Sequence, residues 1–424
     1  MNRFIRNRAA DIEQYAESHM IDSNGVVYTF IDKTKDRPLT DAFFNGFDAY
    51  SVSGCTPAEF YGYENCGMTT GAYMQAMLYR HAVENDSKIL NRVRRCFNAI
   101  KSIYDMGKQV TEGFFPKVYG YRFSPQTSTD QVLYAVMALD RFSCVATAAE
   151  NKEISRMITQ MVRFWVDREY RYTYFNFVDM QWPLSRFPSL LLLAFKHSGE
   201  HIFKQEYERL LAMGVNRQPG EQQIGPKFAG NWQPSEYEQS QQAWCISHMA
   251  GCTAMDLMEL DYLLRHDADN EWAATWLTSA KQMWQEGKRV LAPDGTEYSS
   301  ILIDFKNHDV RRPQPGLVVD SNYVDLDSWD FSRYMHGATS GFSTLTARAG
   351  IQLAHHDKSD STIVPEALRI LNALNVNNLT YYNEPERFAP PYRYLTNFIS
   401  GDSVANWLWA YWQGRYEGVF DKDI

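Results

Sequence analysis

"SPQTSTDQVLYAVMAL", residues 124–139, opens with a small polar turn, Thr127, Ser128, Thr129, Asp130 and Gln131, and then runs apolar nearly all round. A helix that meets water carries a polar stripe along one face. This one has none, so the segment predicts a helix covered on all sides, with a hydroxyl-rich mouth. The stretch before it, "EGFFPKVYGYRFSPQ" (112–126), is an aromatic loop broken by Gly113, Pro116, Gly120 and Pro125.

Working outward, apolar residues recur at i, i+3 and i+4 along most of the chain. The spacing predicts helices near 3–20, 67–84, 87–106, 127–147, 150–171, 184–198, 200–214, 236–264, 268–287, 333–355, 362–376 and 400–414. Strand-like pieces such as "GVVYTFID", "YTYFNFVD" and "EYSSILIDF" are confined to connections. The helices alternate between two kinds. "KILNRVRRCFNAIKSIYDM" (88–106) and "NEWAATWLTSAKQMWQEGKR" (270–289) are charged on one face. "GMTTGAYMQAML" (67–78), "LSRFPSLLLLAF" (184–195), "SRYMHGATSGFSTLTARAG" (332–350) and "ISGDSVANWLWAYW" (399–412) have a polar first turn and a small or apolar body. About six of each alternate, which a ring of helical hairpins satisfies, with the buried kind inside and the charged kind outside. The expected fold class is therefore all-α, an (α/α)6 toroid formed by residues 1–424 as one domain. In such a ring the inner helices run parallel. Their N-termini, expected near 67, 127, 184, 236, 333 and 400, converge with the long loops on one cleft.

Composition narrows the function. Of 424 residues, 45% are hydrophobic, enough for a large core, and 14% are aromatic. A net charge of −9 argues against nucleic acid as a partner, and no apolar run is long enough to cross a membrane. The charged N-terminal helix differs from a signal peptide, so a cytoplasmic location is expected, or a periplasmic or secreted one where a leader has been removed. The six cysteines form no CxxC pair and no zinc spacing. Cys96, Cys144, Cys245 and Cys252 read as buried thiols, and Cys55 and Cys66 flank one loop that a disulfide could close. No phosphate-binding or dinucleotide motif occurs, and "DLDSWD" (325–330) lacks the glycine and glutamate of a calcium loop, so no cofactor and no metal is expected.

The alternation of outer and inner helices over nearly the whole chain resembles the (α/α)6 toroids of carbohydrate-active enzymes. These are the six-hairpin glycosidases, including the unsaturated glucuronyl hydrolases, and several polysaccharide lyases; no signature singles out one family. Terpene cyclases and prenyltransferases also use helical toroids, but the chain has no DDxxD, no QW repeat and no zinc cluster. The resemblance implies a carbohydrate substrate lying across the inner-helix mouths. Aromatic side chains there, Tyr61, Tyr63, Trp182, Trp232, Trp329, Tyr381, Tyr382 and Tyr392, are candidate stacking platforms.

Glycoside hydrolysis needs one carboxylic acid and usually a second carboxylate. Asp130 sits in the first turn of an inner helix, where capping would be its other use. Glu64, Glu236, Glu238, Asp325 and Asp402 also fall at predicted mouths. Asp130 is expected as base or stabiliser, with Glu64 or Glu236 as acid. Cations crowd the same loops: Lys117, Arg122, Arg186, Lys306, His308, Arg311, Arg312, Arg333, His336, Arg387 and Arg393. They point to an acidic sugar such as a uronate, unless they pair with nearby carboxylates. Asn65 and Gln131 add hydrogen-bonding capacity. Tyr63, Lys117, Asp130, Trp182, Arg186, Trp232, His336 and Tyr392 are expected to line one pocket. An acidic substrate leaves β-elimination as the alternative. A lyase would use Tyr323, Tyr334, His248 or His308 as base and Asn65, Arg333 or His336 to neutralise the uronate. A glycan-binding protein without turnover is the third reading.

Overall fold

In the helix over residues Cys66–Glu84, every position from Cys66 to Tyr79 is buried. No amphipathic helix on a protein surface can do this; it needs neighbours on all sides. The structure, a computed structural model, describes the chain apart from residues 1, 50, 53, 175–176, 183, 215–243, 249, 289–290, 292–294, 296, 299, 305–308, 312–337, 383–384, 386–389 and 421–424.

Among the described residues the helices are α1 (Asn2–Tyr15), α2 (Pro57–Tyr63), α3 (Cys66–Glu84), α4 (Ser87–Gly107), α5 (Thr129–Ser143), α6 (Ala148–Val166) and α7 (Pro188–Ser198). They continue with α8 (His201–Ala212), α9 (Ala250–His266), α10 (Ala273–Lys288), α11 (Ser340–His356), α12 (Ile363–Ala373) and α13 (Gly401–Tyr416). Helices α3, α5, α7, α9, α11 and α13 pack in that order, and α13 packs on α3, so the inner ring closes. Helices α1, α4, α6, α8, α10 and α12 lie outside it, each against an inner helix. The chain is thus an (α/α)6 toroid, as the alternation predicts.

The local sequence explains the two layers. Outer α4 buries Ile89, Val93, Cys96, Phe97, Ile100, Ile103 and Tyr104, a single stripe at helical spacing. Its start is capped by Asp86, whose side chain accepts from the Lys88 N–H at 2.8 Å. Outer α6 starts with a capping box between Thr147 and Glu150. Inner helices instead use small residues to approach one another. At Gly71 of α3 a Cβ would lie 2.7 Å from the Tyr134 carbonyl oxygen of α5, so only glycine fits. Between α3 and α4 the chain reverses in two residues, with Asn85 in the left-handed region at φ 51°.

Short strands tie the connections together. They are β1 (Phe30–Asp32), β2 (Arg37–Pro38), β3 (Val118–Tyr119), β4 (Arg122–Phe123), β5 (Arg171–Tyr174), β6 (Phe177–Gln181), β7 (Trp244–His248), β8 (Glu297–Tyr298), β9 (Ser300–Asp304), β10 (Asp309–Arg311), β11 (Ala338–Thr339) and β12 (Phe398–Ser400). β1 pairs with β12 in the register Phe30↔Ser400, Ile31↔Ile399, which fastens the N-terminal segment to the entry of α13. An aromatic cluster of Phe30, Phe44, Phe60, Tyr61, Tyr394 and Phe398 covers this sheet.

Several boundaries differ from expectation. Residues 244–248, expected as helix, form β7, which pairs with β9 over Trp244↔Asp304 to His248↔Ser300. The apolar spacing of α9 extends back across them, but the backbone pairing with β9 prevails. The fourth inner helix thus starts at Ala250, not near 236. The fifth starts at Ser340, after the pairing of β11 with β8, and not near 333. Cys55, Cys66, Cys96 and Cys144 are free thiols, so no disulfide closes the 55–66 loop, and Cys144 is exposed rather than buried. Among the described residues no helix is long and apolar enough to cross a membrane.

Candidate active site

Three inner helices deliver carboxylates to one end of the ring. α2, started by Pro57 and a Thr56–Glu59 capping box, runs straight into α3 and leaves Glu64 and Asn65 at the junction. Asn65 is fixed by its N–H, which donates to Thr29 Oγ1 at 2.7 Å. Asp130 and Gln131 stand in the first turn of α5, and Asp402 in the first turn of α13. The Gln131 amide donates to the Glu64 carbonyl at 2.7 Å, which locks the α5 mouth to the α3 mouth.

The polar turn at 124–131 divides its labour. Ser124 donates to the Lys117 carbonyl at 2.7 Å, and Thr127 to the Phe115 carbonyl at 2.6 Å. These hydroxyls brace the aromatic loop. Ser128 holds the N-cap position but makes no capping bond, and Asp130 makes none either. Asp130 is half-buried and has no hydrogen-bond partner among the described residues, so the capping use of this carboxylate is not realised.

The electrostatics single out Asp402. Burial, then the charges of Asp130 and Glu64, push its carboxyl up to about 8, against the pull of Arg348. Its Oδ1 is buried with no hydrogen-bond partner among the described residues. Glu64 has a different setting. It pairs with the Lys117 ammonium, which is 2% exposed and also lies 3.4 Å from Asn65 Oδ1. Burial opposes the Lys117 charge, but Glu64, Tyr174, Asp130 and Tyr119 together outweigh it and hold the ammonium well above the usual lysine range. The site therefore combines a carboxyl kept protonated at neutral pH, a half-buried carboxylate beside it, and a carboxylate–ammonium pair.

Of the other sequence-derived candidates, Tyr381 stays with the cluster, its phenol pushed up first by burial and also by the charges of Glu64 and Asp402; several others are taken up by the core or by ion pairs. Arg186, just before α7, is buried and pairs with Asp256 at 2.8 Å and Glu259 at 2.9 Å, both on α9. Burial pushes Glu259 up to about 8. Trp182 is buried edge-on against Trp165, at 5.4 Å, and Tyr174, at 5.2 Å; it is core, not a stacking platform. Tyr61 is likewise core, its hydroxyl 2.9 Å from that of Tyr394. Tyr63 donates to Asp22 at 3.2 Å and Tyr392 to Asp48 at 2.9 Å. Of the residues expected to line one pocket, Lys117 and Asp130 join the carboxylate cluster, whereas Trp182 and Arg186 do not. Trp232, Glu236, His308, Tyr323, Arg333, His336 and Arg387 lie outside the described residues. Among the described residues no group of side chains is arranged to hold a metal ion.

Beneath the carboxylates lies a feature that the sequence reading missed. Tyr134, Arg348, Asn406 and Trp409 meet between three inner helices, where Arg348 donates to Tyr134 Oη and to Asn406 Oδ1, each at 2.6 Å, and lies over the Trp409 ring. The available signal was spacing: Asp130 and Tyr134, like Asp402 and Asn406, are four residues apart and share a helix face.

No family model and no curated protein matches the sequence. Solved structures do match in fold. Cellobiose 2-epimerase from Bacillus thermoamylovorans B4167 aligns at a TM-score of 0.58 and 11% identity, over 97% of this chain and 99% of that one. An unsaturated glucuronyl hydrolase specific for heparin aligns at 0.57 and 11%, over 100% and 98%. The unsaturated glucuronyl hydrolase of Bacillus sp. GL1, responsible for the degradation of glycosaminoglycan, aligns at 0.54 and 12%, over 98% and 96%. At these identities the likeness is one of fold, an (α/α)6 toroid along the whole chain.

Proposed function

We propose that this protein is a carbohydrate-processing enzyme, and that it hydrolyses a glycosidic bond next to an acidic sugar with Asp402 as general acid and Asp130 as general base. One observation carries the reading: two carboxyl groups on different inner helices sit close enough to couple, and one of them is held protonated. A carboxyl raised to about 8 carries its proton at neutral pH and can give it to a departing glycosidic oxygen. Asp130, half-buried and without a hydrogen-bond partner among the described residues, would direct the attacking water. This assigns the acid role to Asp402 instead of Glu64, because the Glu64 side chain is engaged in an ion pair with Lys117.

Support for a sugar substrate comes from toroid neighbours that are glucuronyl hydrolases, an epimerase and a D-mannose isomerase. The acidic-sugar part has a narrower basis. Lys117, Arg122 and Arg186 each face a carboxylate, which leaves the acidic-sugar reading to the other loop cations of the sequence. A second reading, epimerisation or isomerisation of a sugar, draws on the epimerase and isomerase neighbours.

The test is incubation with neutral and uronate-containing oligosaccharides, followed by three readouts: new reducing ends, ultraviolet absorbance and isomer composition. Hydrolysis gives reducing ends without a new double bond. A double-bond product would replace the proposal with the lyase, a changed sugar of unchanged chain length with the epimerase, and binding without turnover with a glycan-binding protein.

A further inference from the structure

Arg348 stands on the third turn of α11 and has no exposed surface. Burying a guanidinium costs far more than burying an apolar side chain of the same size, so its placement needs a reason. Its guanidinium reaches two other inner helices at once: Tyr134 of α5 and Asn406 of α13. It also lies over the rings of Trp409, at 4.6 Å, and Tyr134, at 5.2 Å. Tyr134 is one turn below Asp130, and Asn406 one turn below Asp402. Asn406 donates in turn to the Asp402 carbonyl at 2.9 Å. In the ring, α3 stands between α5 and α13, so the two helices that carry the carboxylates are not neighbours in packing order.

We propose that Arg348 is a positioning residue that braces α5 to α13 and so sets the separation and charge balance of Asp130 and Asp402. The inference rests on the hydrolase reading for its consequence, since the distance between the two carboxyl groups decides whether water fits between them. Its physical basis is the brace itself. A planar cation with two short hydrogen bonds to groups one turn below each carboxylate transmits any shift of either helix to the pair. The same charge opposes protonation of Asp402, so the brace tunes the acid as well as placing it.

The experiment compares Arg348→Met, which removes bonds and charge, with Arg348→Lys, which keeps the charge and loses the planar fork. Both are measured for kcat, KM, pH dependence and thermal unfolding, and Asp402 is titrated by carboxyl-carbon NMR. Misplacement of the pair is expected to lower kcat roughly 10²-fold in both, with KM within about threefold. The alkaline limb of kcat/KM and the Asp402 titration move to higher pH in Arg348→Met and stay in Arg348→Lys. A folded Arg348→Met protein with wild-type kcat and an unmoved Asp402 titration overturns the inference. Should that variant not fold, Tyr134→Phe removes one bond and keeps the ring; a loss of about tenfold in kcat supports the brace, and wild-type kcat overturns it. Should the wild type turn over no glycan, the hydrolase reading fails by itself and the NMR arm still decides. An upward shift of Asp402 in Arg348→Met supports the tuning, and no shift ends it.

Discussion

The two ends of the ring hold the same kinds of side chain in opposite electrostatic states. At the far end, in the last turns of the inner helices, carboxylates are matched to cations. Asp140 accepts from Lys196 and His197, each at 2.8 Å, and Asp261 from Arg265 and His356, each at 2.8 Å. For both groups burial works against the charge, but the cationic partners prevail and hold the carboxyl below its usual range. Cations also suit the negative ends of parallel helices. Glu417, which shares Arg265 with Asp261, is pushed up, first by burial and then by the second carboxylate. At the mouth end Asp402 has two carboxylate neighbours, and its cationic neighbour, Arg348, is outweighed. Paired carboxylates staple helices together. A crowded, poorly paired one stores a proton.

The largest effect expected from this contrast is on turnover. Asp402→Asn and Asp130→Asn should each lower kcat/KM by ~10²–10⁴-fold in protein that remains folded. Asp130→Asn should also move the alkaline limb of the residual activity to lower pH, because the Asp130 charge helps to keep Asp402 protonated. A folded variant with near-normal turnover removes that residue from the mechanism.

At the other end the cost should fall on stability. Asp261→Ala removes the acceptor of His356 and leaves Arg265 with Glu417, and the loss of such charged hydrogen bonds costs about 1.5–3 kcal/mol. Chemical denaturation should show that loss while kcat holds. An unchanged unfolding midpoint would mean that the far-end network is not a staple.

Stability against pH separates the ends further. The Asp402 carboxyl titrates at about 8 in the fold, above its unfolded value. Its contribution is therefore complete below the unfolded value near 4 and is lost as pH rises towards 8. Asp402→Asn carries no such cost. Denaturation at pH 4 should find little difference from the wild type, and at pH 8 the variant should be more stable by an amount on the order of a few kcal/mol. A variant less stable at pH 8 would contradict the burial of an unpaired charge. The smallest effect is expected at an exposed pair on the mouth loops: Arg122→Ala breaks a contact with Glu59 at 2.5 Å, for less than ~1 kcal/mol by thermal unfolding.

The sequence by itself determined the toroid. The stripe of α4 and the stripeless run of α5 are local patterns, and the burial they demand has few geometric solutions, so alternation of the two kinds specifies the ring. It also placed Glu64, Asp130 and Asp402 at inner-helix mouths, because position within a helix is a one-dimensional property. Tertiary structure decided what those residues do. Whether Lys117 meets a substrate or Glu64 depends on how the 112–126 loop folds back on α2. Whether Trp182 is a platform or core depends on Trp165 and Tyr174 closing over it. Trp244–His248 became a strand because β9 was there to pair with it. The protonation of Asp402 and the brace at Arg348 join residues up to 338 positions apart, from Glu64 to Asp402. Charge coupling and hydrogen bonding act through distance in space, and the order of residues along the chain does not record that distance.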